Sequence, residues 1–230
     1  MEVLIEYSPS LFAGAWVTLK VAMLSLIIAV LTGLFGAACK LSKIAPLRWW
    51  TAFYTTIVRG VPDLVMMLLF FYGGQMLLNE LTDHFEADQI EINAFVAGVL
   101  TIGFIFGAYF TETFRGAFLA VPAGQMEAGR AYGMSNWQVF WRILFPQMVR
   151  YALPGIGNNW LVLLKSTAIV SMIGLTDMTL LADQAGRSTH QPFTFYFAVC
   201  MLYLAMTAVS SAVLHRLEIK YNAGVREAHL

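Results

Sequence analysis

The chain has 230 residues, of which 59% are hydrophobic and only 12% charged, against roughly a quarter charged in soluble domains. Lys and Arg together number 14, as do Asp and Glu, so the zero net charge gives no sign of nucleic-acid binding. Cys39 and Cys200 lie in or beside apolar runs, which argues against a disulfide framework or a cysteine zinc site. With a mean hydropathy of +0.68, the chain reads as a single membrane domain over 1–230.

A membrane-crossing helix needs about 20 apolar residues. The first is expected over 12–39, built on the uncharged run 21–39. Its leader carries Glu2 and Glu6 rather than Lys or Arg, and its apolar core is long, so it is expected to stay in the mature chain. The second is expected over 57–79, continuing through Pro62, and the third over 93–112. The fourth is expected over 153–176, interrupted by Asn158, Asn159 and Lys165, and the fifth over 193–215. The sum is an all-α polytopic membrane protein with five transmembrane helices.

Basic residues accumulate in short cytoplasmic loops. Under the five-span reading, 11 of the 14 fall on one side: Lys40, Lys43, Arg48, Arg59, Arg115, Arg130, Arg142, Arg150, Arg216, Lys220 and Arg226. The segment 79–91 has five acidic residues and no Lys or Arg. The N-terminus is therefore expected in the periplasm and the C-terminus in the cytoplasm. The longest cytoplasmic connection, 115–150, is expected to fold as short amphipathic helices, since Trp137 and Trp141, like Phe140 and Leu144, are spaced to share one broad apolar side.

Within that connection stands Glu127-Ala128-Gly129, then three residues, Gly133, nine residues and Ile143-Leu144-Phe145-Pro146. This spacing resembles the EAA loop of bacterial ABC importer permeases, with Gly129 in place of the second Ala and Phe145 in place of Leu. Other stretches resemble the polar amino-acid branch of that family. They are Arg59-Gly60-Val61-Pro62-Asp63-Leu64, Tyr109-Phe110-Thr111-Glu112-Thr113-Phe114-Arg115-Gly116, and Ala120-Val121-Pro122-Ala123-Gly124-Gln125. The runs Tyr151-Ala152-Leu153-Pro154-Gly155-Ile156-Gly157-Asn158-Asn159-Trp160 and Leu164-Lys165-Ser166-Thr167-Ala168 resemble the Q-type subunits of basic amino-acid permeases, the histidine/lysine/arginine/ornithine group, and of related opine systems.

The resemblance implies a type I ABC importer permease fold in a bacterial inner membrane. It also implies a second permease subunit, expected to be an unlike sister, two ATP-binding subunits and a periplasmic substrate-binding protein. The expected cargo is a basic amino acid (arginine, histidine, lysine or ornithine), with another polar amino acid or an opine as the alternative. The chain would be a transport subunit and not an enzyme, with no catalytic residue and no cofactor of its own. It lacks a P-loop sequence, so ATP and Mg would sit on the partner ATPase. Glu127, Ala128, Gly129, Arg130, Gly133, Ile143 and Pro146 would couple to that ATPase. Small residues suit close approach, Gly133 suits a turn with φ > 0, and Glu127 suits a helix N-terminus or a partner cation. On pattern alone, the same loop also suits an interfacial helix lying on lipid headgroups.

Polar residues inside spans are costly and usually face a cavity or a partner. Asp63, Glu112, Asn158, Asn159, Lys165, Ser166 and Thr167 are the translocation-pathway candidates. Lys165 either meets a substrate carboxylate or forms a structural ion pair with Glu112 or Asp177. It would repel a cationic side chain, so selectivity for one would come from acids on a partner. Asn158 and Asn159 suit cross-helix hydrogen bonds at least as well as substrate contact. Arg59 with Asp63, and Glu112 with Arg115, have spacings that suit local ion pairs. Gly103 and Gly107 form a small-xxx-small pattern, expected against the other permease subunit. The four histidines make no metal-ligand cluster. An ATP-independent channel or carrier is the rival from another class, and would show a charged relay that the spans lack.

Overall fold

The computed structural model describes residues 2–86 and 88–222, and among them there is helix and no strand. Arg226 and His229 lie outside the described residues. Ten α-helices follow in order: α1 (Glu2–Leu41), α2 (Ala45–Gly60), α3 (Asp63–Leu68), α4 (Gly74–His84), α5 (Ala94–Ala120), α6 (Ala123–Ala131), α7 (Asn136–Val139), α8 (Phe145–Ser166), α9 (Met178–Ser188) and α10 (Pro192–Asn222). Single π-turns, Leu69–Gly73 and Phe140–Leu144, join α3 to α4 and α7 to α8, and a 3-10 stretch, Thr167–Ile173, extends α8. Among the described residues five segments are long and apolar enough to cross a membrane: Val3–Leu41, Asp63–His84, Ala94–Ala120, Asn136–Ile173 and Pro192–Tyr221.

The helix expected across 57–79 is two helices. Val61 and Pro62 are extended, at ψ 137° and 136°, because proline clashes with an α-helical predecessor and cannot supply the next ladder N–H. Residues 45–60 thus form a separate amphipathic helix that hydropathy alone did not mark. Within the expected connection 115–150 the chain is helical: α5 continues to Ala120, and α6, α7, a π-turn and the start of α8 follow.

The bundle is organised on α1 and α5, which run parallel as first and third crossings must. Ser25 donates to the Val99 carbonyl at 3.1 Å near one end, and Lys40 pairs with Glu112 near the other. Lipid tails compete with apolar side chains for contact, so helices in a bilayer gain by backbone approach at small residues. A Cβ on Gly33 would stand 2.4 Å from Phe110 Cβ, and one on Gly103 2.7 Å from Ile28 Cγ2. One on Gly107 would meet Thr32 Oγ1 at 2.2 Å. Gly103 and Gly107 therefore pack against α1 of the same chain, not against another subunit.

Helix α8 runs antiparallel to α5: Asn159 Nδ2 donates to Thr113 Oγ1 at 3.0 Å, and Val170 fills the space over Gly98. Phe110, Ile102, Ile105, Leu163, Leu164 and Val170 form the centre of this packing. The apolar stripe Phe12, Trp16, Met23, Ile27, Leu31 and Phe35 of α1 is exposed.

A second cluster docks α9 on α1 and α10 through Leu11, Met178, Ala182, Ala185, Phe195 and Val199. Asp177 caps α9, one carboxylate oxygen accepting from Leu180 N at 2.9 Å while the other has no hydrogen-bond partner. Burial pushes its carboxyl above the usual range, against the lowering effect of backbone hydrogen bonds. Six residues on, the half-buried Asp183 is held below that range by Arg187 at 2.9 Å, with Tyr196 Oη donating at 2.9 Å.

Candidate functional site

Two regions collect the residues singled out from sequence. The first is a helical knuckle made by α6, a tight turn and α7. Helix α6 ends in a Schellman motif: Met134 N donates to the Gly129 carbonyl at 3.1 Å and Gly133 N to the Arg130 carbonyl at 2.9 Å. Gly133 takes φ +80°, the left-handed conformation that a Cβ disfavours. Helix α7 starts at once with a capping box, Ser135 Oγ accepting from Gln138 N and Gln138 Oε1 accepting from Ser135 N. Arg130 Nε reaches across the turn to Asn136 Oδ1 at 3.2 Å.

The knuckle is fixed to the fourth crossing. A Cβ on Gly129 would meet Ile143 Cδ1 at 2.5 Å and Val139 Cγ2 at 3.3 Å. The π-turn then passes into α8, where Pro146 occupies the first turn and needs no N–H partner. Glu127, Ala128, Arg130 and Tyr132 are exposed, Tyr132 at 88%. Glu127 is the fifth residue of α6, not at its N-terminus, so the helix dipole does not account for it. The arrangement suits a stiff lever: an exposed tip, a backbone-locked turn, and a shaft continuous with a membrane helix.

The second region is where two helix breaks meet. Asp63 opens α3 just after the Val61–Pro62 break, and Ser166 closes α8 where it tightens into 3-10 geometry. Ser166 Oγ approaches Asp63 Oδ2 at 3.5 Å. Lys165 beside it is exposed, and among the described residues it forms no ion pair. Thr167 is buried, donating to the Leu164 carbonyl at 2.7 Å with Tyr203 Oη 3.4 Å away. Gly174, at φ +82°, ends the 3-10 stretch.

The other candidates lie apart. Glu112 joins a cluster, paired with Lys40 and with Arg115 Nε at 2.9 Å, while Lys40 also donates to Thr55 Oγ1 at 2.7 Å. The expected local pair of Glu112 and Arg115 is present. That of Arg59 and Asp63 is not, because the proline break takes them off a common helix. Arg59 lies over the Tyr109 ring instead, 5.4 Å from its centroid. Neither Glu112 nor Asp177 is a partner for Lys165. Asn159 clamps α8 to α5, whereas Asn158 is exposed.

Sequence reasoning missed Lys40 as a partner of Glu112 and Thr55 as a partner of Lys40, and no local spacing points to either. Among the described residues there is no group of acidic, histidine and cysteine side chains that would hold a metal.

The profile of the family described as binding-protein-dependent transport system inner membrane component matches residues 25–220. The histidine/lysine/arginine/ornithine transport system permease protein HisQ of Salmonella typhimurium is 53% identical over 224 residues, spanning 97% of this chain and 98% of that protein. The arginine ABC transporter permease protein ArtQ of Escherichia coli is 35% identical over 94% of this chain and 95% of its own length. A crystal structure of an amino acid ABC transporter with histidines superimposes at a TM-score of 0.81, with 34% identity over 94% of this chain and 96% of that one.

Proposed function

The chain belongs to the family of inner membrane components of binding-protein-dependent transport systems, and from that premise we propose that it is a permease subunit of an ATP-driven importer of basic amino acids. It sits in a bacterial inner membrane, pairs with an unlike sister permease, and works with two ATP-binding subunits and a periplasmic binding protein. ATP and Mg belong to the ATP-binding subunits. The knuckle faces the cytoplasm, as the distribution of Lys and Arg favours. The relatives' names, which include histidine, lysine, arginine and ornithine, support the substrate class.

The observation that carries the mechanism is the rigid connection from exposed Glu127, Ala128 and Arg130 through Gly129 and Ile143 into α8. ATP-driven closure of the subunits below moves the tip. The locked turn passes that displacement to the fourth crossing without first bending. Helix α8 ends at Ser166, beside Asp63. An acid and a lysine at adjoining helix breaks suit a zwitterionic cargo, Lys165 toward its carboxylate and Asp63 toward a cationic group. Alternating access then exposes this break to either side in turn.

The test is uptake by the purified chain with its accompanying subunits in proteoliposomes. Glu127→Lys and Gly129→Val are expected to lower uptake at least tenfold while ATP-binding subunits still co-purify. Normal uptake by both variants, or purification without any ATPase, refutes the coupling role. Competition by unlabelled arginine, lysine, histidine and ornithine, but not glutamine, is expected. A preference for glutamine refutes the basic amino-acid assignment.

A further inference from the structure

Helix α2 is divided along its length. Its C-terminal half is held on the bundle: Val58 is buried, Thr55 meets Lys40, and Tyr54 Oη donates to the Phe104 carbonyl at 2.5 Å. Its N-terminal half stands off. Trp49, Trp50 and Phe53 are 79%, 72% and 59% exposed, and Ile44 and Leu47 beside them are exposed too. Trp50 and Phe53 meet edge to face at 6.0 Å, and the three rings border a shallow cleft of about 340 Å³. This exposed aromatic group is explained neither by the bundle core nor by the knuckle or the helix breaks.

Its level is set by its neighbours. α1 ends at Leu41, and Lys40, Glu112 and Arg115 cluster there, so this is the end of the bundle where hydrocarbon gives way to polar surroundings. Thr55 touches Lys40, which places the rings one or two turns of helix away from that level. The charge beside them has one sign. Lys43 and Arg48 are exposed and unpaired among the described residues, and 42–62 contains Lys43, Arg48 and Arg59 with no Asp or Glu. Tryptophan rings favour the headgroup layer, and basic side chains there attract anionic lipid.

We propose that the N-terminal half of α2 is a binding site for anionic phospholipid. The rings of Trp49, Trp50 and Phe53 lie among the glycerol and upper acyl groups, and Lys43 and Arg48 hold the headgroup phosphate. A protein partner would cover the same rings, but the exclusively basic rim with exposed indoles matches a headgroup layer in both polarity and depth. The site acts on a helix whose other half carries Thr55 and leads into the Pro62 break, so occupancy by lipid braces α2 against α1 and α5.

The test uses the full chain, with whatever subunits accompany it, in nanodiscs of phosphatidylcholine doped with phosphatidylglycerol or phosphatidylcholine brominated on the upper acyl chain. Subtracting the fluorescence of a W49F/W50F variant from that of the wild type isolates these two indoles from the other four tryptophans. Brominated phosphatidylglycerol is expected to quench the difference signal at lower mole fraction than brominated phosphatidylcholine, by about fivefold for each basic side chain involved. K43Q/R48Q should bring that preference near unity, whereas R216Q/K220Q, an equal charge change on α10, should leave it unaltered. Circular dichroism and elution volume verify that each variant is folded. A difference signal quenched by neither lipid means that a second subunit covers α2, and overturns the proposal. So does equal quenching by the two lipids in the wild type, or a preference that survives K43Q/R48Q.

Discussion

The seam between α1 and α5 and the knuckle of α6 and α7 are both rigid, yet for opposite reasons. In the seam the backbone is ordinary helix, and stiffness comes from side chains that are missing: at Gly33, Gly103 and Gly107 the facing helix occupies the volume a Cβ would need. In the knuckle the space around Gly133 is open, with nothing within 4 Å of a Cβ, and stiffness comes from backbone geometry, a Schellman motif running straight into a capping box. Gly33, Gly103 and Gly107 serve volume in the seam, whereas Gly133 serves the sign of φ in the knuckle. A lipid-embedded interface gains most from close backbone contact, whereas a protruding turn surrounded by polar groups gains most from satisfying its own N–H and C=O groups.

That contrast is broken most severely at Gly33. Gly33→Val would set its Cβ against Phe110 Cβ and, at 3.0 Å, the Phe110 carbonyl carbon, so backbone and not a flexible side-chain tip must move. Overpacking usually costs about 1–3 kcal/mol, and opposition by backbone puts this site at or above the top of that range. The expected result is loss of monodisperse protein in detergent, read by size-exclusion chromatography and thermal unfolding. The ionic end of the same seam is the next test. Glu112→Gln leaves Lys40 and Arg115 beside each other without the anion between them, at side-chain exposures of 15% and 39%. Partial screening limits the expected loss to about 1–2 kcal/mol, and Lys40→Gln in the same chain should recover part of it.

The knuckle should fail differently. Gly133→Ala meets no neighbour, so the bundle's unfolding temperature is expected to stay near that of the wild type. The left-handed conformation costs an L-residue about 1 kcal/mol, enough to raise local amide exchange around 133–136 about fivefold. Hydrogen exchange by mass spectrometry measures it. A fall in global stability equal to that of Gly33→Val would dissolve the distinction between volume and φ.

What was legible in the sequence follows the same division. The five crossings were legible as uncharged runs, since apolar length needs no tertiary information. The knuckle was legible too, because Gly133 sits at a fixed offset from Glu127 and short-range caps act within a few residues. The break at Pro62 carried a signal in the Val-Pro pair, but the apolar residues on both sides masked it. Helix α2 escaped notice because its apolar and polar faces average out in hydropathy. The contact of Lys40 with Glu112 spans 72 residues. The small-residue pattern of Gly103 and Gly107 likewise announced a close neighbour without saying which helix it would be. Long-range pairing is decided by how α1 and α5 align, and that alignment is a property of the packed seam.

The smallest expected effect lies outside both regions, at α9, where two acids should respond to pH in opposite senses. Asp177 has its folded carboxyl raised by burial, so its contribution to the docked helix is fullest in acid and fades as pH rises through the folded value. Asp183 is held low by Arg187 and Tyr196, so its contribution is present above the ordinary carboxylate range and fades as pH falls through the folded value. Asp177→Asn keeps a good N-cap for Leu180 while removing the buried charge, and the change in docking should stay below about 1 kcal/mol. Amide exchange in α9, corrected for the chemical rate, should therefore be slower in the variant than in the wild type at about pH 8 and nearly equal at about pH 4. Asp183→Asn should instead loosen α9 near neutral pH, where the wild type holds its pairing with Arg187 and Tyr196, and match the wild type in acid. If Asp177→Asn exchanged faster at every pH, the cap would outweigh the buried charge, and the docking of α9 would rest on the hydrogen bond to Leu180 alone.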